Sequence, residues 1–277
     1  MYEFHGDKKR YFDMTYRVTK EHIIPFLEQT MEIKPSMRVL EIGCGEAGVL
    51  KAFLERDCHC TGIELEESRI ELAKGFLAEE LAAGKVQFLN KNIYDVNPKV
   101  DLDGLYDLII LKDVIEHIPD QARFMPELLR FLQKGGTVFF AFPPWMMPYG
   151  GHQQVLPGKL ASKLPFTHLL PGVLYPMLLK ALGTPKSGVA TMEEIRSTGI
   201  SIERFERISR KSGFEIGNKQ FYLFNPIYEH KFGLKPRRQW AWVSRVPFLR
   251  NFVTMGVYYS LRSRDTRLAP RGDSLRS

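Results

Sequence analysis

The segment Val39-Leu40-Glu41-Ile42-Gly43-Cys44-Gly45-Glu46-Ala47-Gly48 sets three glycines in Gly-x-Gly-x-x-Gly spacing directly after an apolar run. Glycines there allow a tight turn and a close approach of ligand to backbone, at the start of a helix with free N–H groups. That spacing alone is shared by several nucleotide binders. Two carboxylates sharpen it. Glu64 follows Gly43 by 21 residues and ends a second apolar run, where a carboxylate can accept hydrogen bonds from both hydroxyls of a ribose. Glu41 lies two residues before the first glycine. A dinucleotide would lay an anionic pyrophosphate over this turn, and Glu41 would repel it. A nucleoside carrying an ammonium and a sulfonium would be held by the same charge.

A second group, Asp113, Glu116 and His117, directly follows the apolar run 106–111. His117 could serve as a general base for a hydroxyl proton, or the charges could simply cap the turn that follows. A third group is the aromatic and glycine-bearing stretch 143–154, which contains Trp145, Tyr149 and His152. Tyr149 and His152 are the leading substrate-side residues there, with His152 the leading base; the alternative is a loop histidine capping local backbone. His168, in an apolar run, reads as a satisfied lid residue rather than a catalyst. Cys58-His59-Cys60 lacks a second ligand pair and reads as ordinary strand-edge sequence.

The elements that must position these residues alternate strand and helix, which predicts an α/β fold: a doubly wound, mostly parallel sheet covered by helices. Strands are expected at 38–42, 60–65, 86–89, 106–111 and 137–142, then at 214–224 and 252–261, seven in all. Helices are expected at 17–31, 49–56, 67–83, 120–132 and 202–212. The stretch 143–190 has no clear period and is rich in Pro, Gly and large apolar residues, the pattern of a functional insertion or lid. The expected organisation is a helical cap (1–36), a ligand-binding core (37–142), a substrate lid (143–200), the rest of the domain (201–264) and a disordered tail (265–277).

The chain has 277 residues, 44% hydrophobic and 26% charged, enough apolar material for a core and unlike a disordered or collagen-like chain. Its three cysteines fall between Cys44 and Cys60, which argues against a secreted disulfide framework. With no apolar run in the first ten residues, a cytoplasmic protein is expected. The net charge of +7 is uneven: residues 231–277 carry 11 Lys and Arg against Asp265 and Asp273. Without a nucleic-acid motif, this basic stretch reads as a solvated face, so a nucleic-acid partner is not expected. With Trp240 and Trp242 it is compatible with peripheral contact at an anionic membrane.

In order, VLEIGCGEAG, TGIELEES, NKNIYD, YDLIILKDVIEHIPD and the strand after LQKGG resemble the class I S-adenosylmethionine-dependent methyltransferases. The resemblance covers about 37–142, and DVIEH is similar to the ubiquinone-biosynthesis type of small-molecule O-methyltransferase. It implies a Rossmann-like fold with S-adenosylmethionine as cofactor and S-adenosylhomocysteine as product. It puts Glu41, Gly43 and Gly45 at the methionine end, Glu64 on the ribose, and Leu65, Asn92 and Ile93 beside the adenine. Asn92 stands where the family has an acidic residue; its amide oxygen can still accept from the adenine amino group. Lys112 either binds the cofactor carboxylate or points to solvent. Asp113, Glu116 and His117 acquire a third reading, since such a cluster holds a divalent metal in some relatives. The expected acceptor is a small or lipid-linked molecule methylated at a hydroxyl oxygen, with N- or C-methylation as the alternative. An NAD-dependent oxidoreductase and a non-catalytic methyltransferase-like binding protein are the competing readings; oligomeric state is not legible.

Overall fold

A computed structural model of the chain describes residues 7–151 and 164–264. The N-terminal helix α1 (Lys8–Val18) runs through a π turn (Thr19–Ile23) into α2 (Ile24–Leu27). Asp7 caps it, accepting from the Arg10 N–H at 2.9 Å. It therefore starts nine residues before the expected Arg17, because that cap lies outside the apolar period that marked the rest.

Alternation then proceeds as β1 (Arg38–Ile42), α3 (Gly48–Leu54), β2 (His59–Ile63), α4 (Glu67–Phe76), α5 (Ala78–Ala82), β3 (Val86–Leu89), β4 (Tyr106–Lys112), α6 (Gln121–Glu127) and β5 (Leu132–Phe142). The helix expected over 67–83 is broken at Leu77, whose backbone leaves the helical region. The Gly135-Gly136 pair lies within β5, beside a register shift between Tyr106 and Leu108 on β4. An added Cβ on Gly136 would meet the Tyr106 carbonyl at 3.0 Å, so only glycine lets the strands close there. The stretch expected to be irregular contains two helices, α7 (Leu174–Ala181) and α8 (Lys186–Thr198). Next come α9 (Ile202–Lys211), β6 (Phe214–Phe224), α10 (Ile227–Phe232), β7 (Arg237–Arg238), α11 (Ala241–Ser244), α12 (Leu249–Phe252) and β8 (Gly256–Ser263).

Among the described residues the sheet has eight strands, not seven, in the order β3-β2-β1-β4-β5-β8-β6-β7. The extra one is the two-residue β7, too short to leave an alternating pattern. The expected last strand begins only at Gly256, since 249–252 is helical. The first five strands are parallel, and β8 enters antiparallel between β5 and β6. Period-two alternation divides the core between the two faces of the sheet. Leu40, Ile109, Leu111, Phe140 and Phe142 fill one side; Val39, Leu108, Ile110, Phe139 and Ala141 fill the other. The order reverses between β1 and β4, the switch point at which doubly wound sheets bind ligands beyond the strand carboxyl ends.

α1 crosses directly over the glycine turn. A Cβ on Gly48 would stand 2.1 Å from Thr15 Oγ1 and 2.4 Å from the Phe12 carbonyl. The third glycine of the motif thus makes room for a helix. Among the described residues no helix is long and apolar enough to cross a membrane.

Candidate active site

The turn after β1 is fastened to β2 by its backbone. The Gly43 and Cys44 N–H groups donate to the Ile63 carbonyl at 2.8 and 3.1 Å. Gly43 and Gly45 have positive φ, 72° and 52°, which only glycine adopts without strain. Glu64 closes the turn: one carboxylate oxygen accepts from Gly45 N–H at 2.9 Å, the other from Leu65 and Glu66 N–H at 2.8 and 3.2 Å. A carboxylate offers about four lone-pair sites, so capacity remains for a ribose hydroxyl. Asn90 steadies the same corner by donating to the Glu64 and Leu65 carbonyls at 3.0 and 2.9 Å. The sequence reading passed over Asn90, which acts only through backbone. Leu65 is 67% exposed, whereas Ile93 is buried. The Asn92 oxygen caps the next turn by accepting from Tyr94 N–H at 3.1 Å.

Glu41 is 2% exposed, and one of its carboxylate oxygens is buried with no hydrogen-bond partner. Burial pushes its pKa well above the ordinary range and Glu64 adds to this, while Lys112 and Arg69 oppose. Such an orphaned buried oxygen favours a cation or a donor beside it. It faces a cavity of about 110 Å³ lined by Tyr11, Thr15, Gly43, Arg69, Lys112 and Asp113 among others. The Arg69 guanidinium lies over the glycine turn, in the space a Cβ on Gly45 would enter. It binds Glu46 at 2.8 Å and reaches Glu64 at 3.8 Å; Lys8 pairs with the same buried Glu46 at 2.9 Å. Burial alone would raise the Glu46 pKa, but these two partners hold it below the ordinary value.

The Lys112 side chain is only 8% exposed and is paired with Asp113, so it does not point to solvent. Burial works against its charge, yet Asp113, Tyr11 and Glu41 together raise its pKa. Asp113 adopts a left-handed backbone, φ 56°, costing roughly 1 kcal/mol for a residue with a Cβ. Its N–H is held by the Ala141 carbonyl at 2.8 Å.

Around Asp113 gather groups from remote parts of the chain. Lys112 works to lower the Tyr11 phenol, but burial and Asp113 leave it raised. Burial pushes Tyr228 up to about 12, with Asp113 and Tyr149 adding to the effect. Burial pulls Lys231 down to about 8; Asp113 opposes this and Lys112 adds to it. The Lys231 ammonium lies 5.8 Å from the centre of the Tyr11 ring. Of the substrate-side residues expected from sequence, Tyr149 joins this group, whereas His152 lies outside the described residues. His117 is exposed and does not line the cavity. Glu116 is buried with neither carboxylate oxygen partnered, and burial, aided by Asp113, raises its pKa well above normal. Among the described residues no three His, Cys, Asp or Glu side chains stand together as a metal site. Tyr11, Tyr228 and Lys231 escaped the sequence reading because each is a single residue on a helix with no motif around it. His168 is buried against Trp145, with its Nε2 2.7 Å from the Trp145 carbonyl oxygen.

A family model described as a methyltransferase domain matches residues 14–216. The chain belongs to the methyltransferase-domain family. It is 30% identical over 109 residues to ajmaline N-methyltransferase of Rauvolfia serpentina, covering 38% of this chain and 35% of that one. It is 25% identical over 116 residues to a ubiquinone biosynthesis O-methyltransferase of Leptothrix cholodnii, covering 42% and 48%. The chain thus spans half or less of the curated relatives it matches. Its fold is similar to that of Haemonchus contortus phosphoethanolamine N-methyltransferase 2 in complex with S-adenosyl-L-methionine, with a TM-score of 0.53 at 15% identity, over 87% of this chain and 52% of that one. That structure holds S-adenosyl-L-methionine, and the donor set of this chain is of a kind that fits such a group: an orphaned Glu41 oxygen for a cation, spare acceptor capacity on Glu64 for hydroxyls and Lys112 for a carboxylate.

Proposed function

We propose that the chain transfers a methyl group from S-adenosylmethionine to a small molecule, at a hydroxyl oxygen. The observation that carries the reading is Glu41, which lines the cavity at the glycine turn and has one buried carboxylate oxygen without a partner. It suits a ligand with an ammonium or sulfonium and opposes a pyrophosphate. Glu64 would hold the ribose diol, Lys112 the carboxylate, and Leu65, Asn92 and Ile93 the adenine. Arg69 would move off Gly45 to admit the nucleoside.

The bound cofactor supplies an electrophilic methyl, so the chain's task is alignment and exclusion of water. Oxygen is favoured as the target by the acceptor end. Lys231, neutral above a pH of about 8, would take the hydroxyl proton, and Tyr149 and Tyr228 would orient the acceptor. His117 and His152 stay in the proposal as alternative bases, and 143–200 as the lid. The related N- and O-methyltransferases leave nitrogen as the second acceptor. An amine that binds unprotonated needs no base, so loss of activity in Lys231→Gln separates the two.

The test is calorimetric titration of S-adenosylhomocysteine into the protein, beside NADH. Micromolar binding is expected for S-adenosylhomocysteine only. Glu64→Ala should weaken it by about 100-fold, from losing one acceptor for three amides and the ribose. Because that change also frees backbone N–H groups, Glu64→Gln, which keeps one oxygen, should retain the fold and still bind weakly. Binding of NADH instead would overturn the assignment.

A further inference from the structure

Residues 239–253, between β7 and β8, form a loop that holds large apolar side chains outward on a rigid base. Gln239 closes its neck: its N–H donates to the Phe221 carbonyl at 2.9 Å and its side-chain amide to the Val253 carbonyl at 2.5 Å. Glu203 on α9 pins the far side. One of its oxygens accepts from Phe248 N–H at 3.0 Å and Arg250 Nε at 2.9 Å, the other from Asn251 Nδ2 at 2.6 Å. Asn251, fully buried, also accepts through its side-chain oxygen from Ile202 N–H at 2.8 Å.

Only Val243 of the loop's α11 turns inward. Trp242 is 65% and Phe248 64% exposed, with Trp240, Val246 and Leu249 exposed beside them. Phe248 is presented by a left-handed backbone, φ 64°, a strained conformation in an aromatic residue that the Glu203 bond holds in place. Folding therefore does not bury these rings; it fixes them in water.

The segment that carries the loop has one sign of charge. No acidic residue occurs between Glu229 and Asp265. Lys235, Arg237, Arg238 and Arg245 are exposed at the loop, with the Arg237 guanidinium 5.2 Å from the Trp240 ring centre. Tryptophans with flanking arginines suit the headgroup level of a bilayer, where the rings enter the acyl boundary and the guanidiniums meet phosphates. Pairing with a second copy of the chain would instead press two basic surfaces together.

We infer that loop 239–253 docks the protein on a membrane leaflet bearing anionic headgroups. Its place in the fold gives the contact a use. Val257, at the start of β8, pairs with Phe142 at the end of β5. The loop thus hangs at the sheet edge where β4 ends in Lys112 and Asp113. This last point rests on the methyl-transfer reading: an acceptor residing in the leaflet would reach the site from the docked face. The docking surface itself does not depend on that reading.

Sedimentation of the full chain with vesicles tests it. One set is phosphatidylcholine alone and the other contains about one-third phosphatidylglycerol, each at low and high salt. Binding is expected to the anionic vesicles, weakened by salt. The pair Trp242→Ser and Phe248→Ser should lower the partition coefficient at least about tenfold. Arg237→Gln with Arg238→Gln should lower it about fivefold per arginine on anionic vesicles only. Melting temperature and S-adenosylhomocysteine affinity should match the parent in both variants. Failure to sediment at low salt, equal binding to neutral vesicles, or unchanged binding by the serine pair would each overturn the inference. So would concentration-dependent dimers of the parent that the serine pair abolishes, which would make the loop a subunit interface. Vesicle binding without S-adenosylhomocysteine binding would leave this inference standing and remove the methyl-transfer reading.

Discussion

The two ends of the candidate site are built in different ways. The cofactor end comes from consecutive strand ends and their turns: Gly43 and Cys44 on Ile63, Gly45 on Glu64, Asn90 on Glu64 and Leu65. Each contact is backbone or fixes backbone, and all fall within 41–93. The acceptor end proposed here draws on Tyr11, Asp113, Tyr149, Tyr228 and Lys231, whose side chains come from parts of the chain up to 220 residues apart. A site made of backbone turns can be written as a local motif, whereas one made by packing depends on each helix arriving where it should. The first end can therefore recur across a family while the second differs from member to member.

The junction between them is the sharpest place to break this comparison. Gly48 admits α1, and α1 carries Tyr11 to the site. Gly48→Ala would drive a Cβ into Thr15 Oγ1 and the Phe12 backbone. Overpacking of this kind is expected to cost about 3 kcal/mol, read by urea denaturation. Gly75→Ala is the control, since its α4 position has open space around it, and it should stabilise by roughly 0.5 kcal/mol or more. If both changes behave alike, α1 is not seated as described.

The same contrast explains what could be read from the sequence. Strands β1 to β4 were legible because buried parallel strands are short apolar runs and their turns carry glycines. Glu41 and Glu64 were legible because each sits at a fixed distance from Gly43. Missed were the start of α1, set by the side chain of Asp7, and the two helices within 164–198. There, Tyr175, Leu179, Val189 and Met192 pack on one another while Val173, Leu174 and Met177 stay exposed, so no clean apolar stripe appears. Lys231 and Tyr228 lie on a six-residue helix whose position follows from packing on Met14 and Val18. Arg69 had no signal: only in three dimensions does its guanidinium meet Gly45.

The acceptor end makes its own prediction in pH. Lys231 is held down to about 8, so below that pH it carries its proton and cannot accept another. For a hydroxyl acceptor kcat/KM should rise with pH through about 8 and level off above it. Lys231→Gln should remove that rise and lower the plateau about 100-fold, with S-adenosylhomocysteine affinity unchanged. A rise with pH that survives in the variant, with its inflection well below 8, would assign the base to a histidine, His117 or His152.

The smallest expected effect asks whether the two ends are one unit energetically. Gln121 is fully buried and its amide bridges the Ile115 carbonyl at 3.2 Å and the Thr198 carbonyl at 2.5 Å. It ties the end of α8 to the segment that follows β4. Gln121→Leu fills the space but leaves both carbonyls without that donor, at a cost of about 1 kcal/mol. Should the ends be separately held, the loss stays local: amide hydrogen exchange in α8 would quicken about fivefold while β1 to β3 keep their protection. An equal rise in β1 to β3 would mean that this bond reports on global unfolding, and the division between a backbone-built end and a packed end would then be one of geometry without being one of stability.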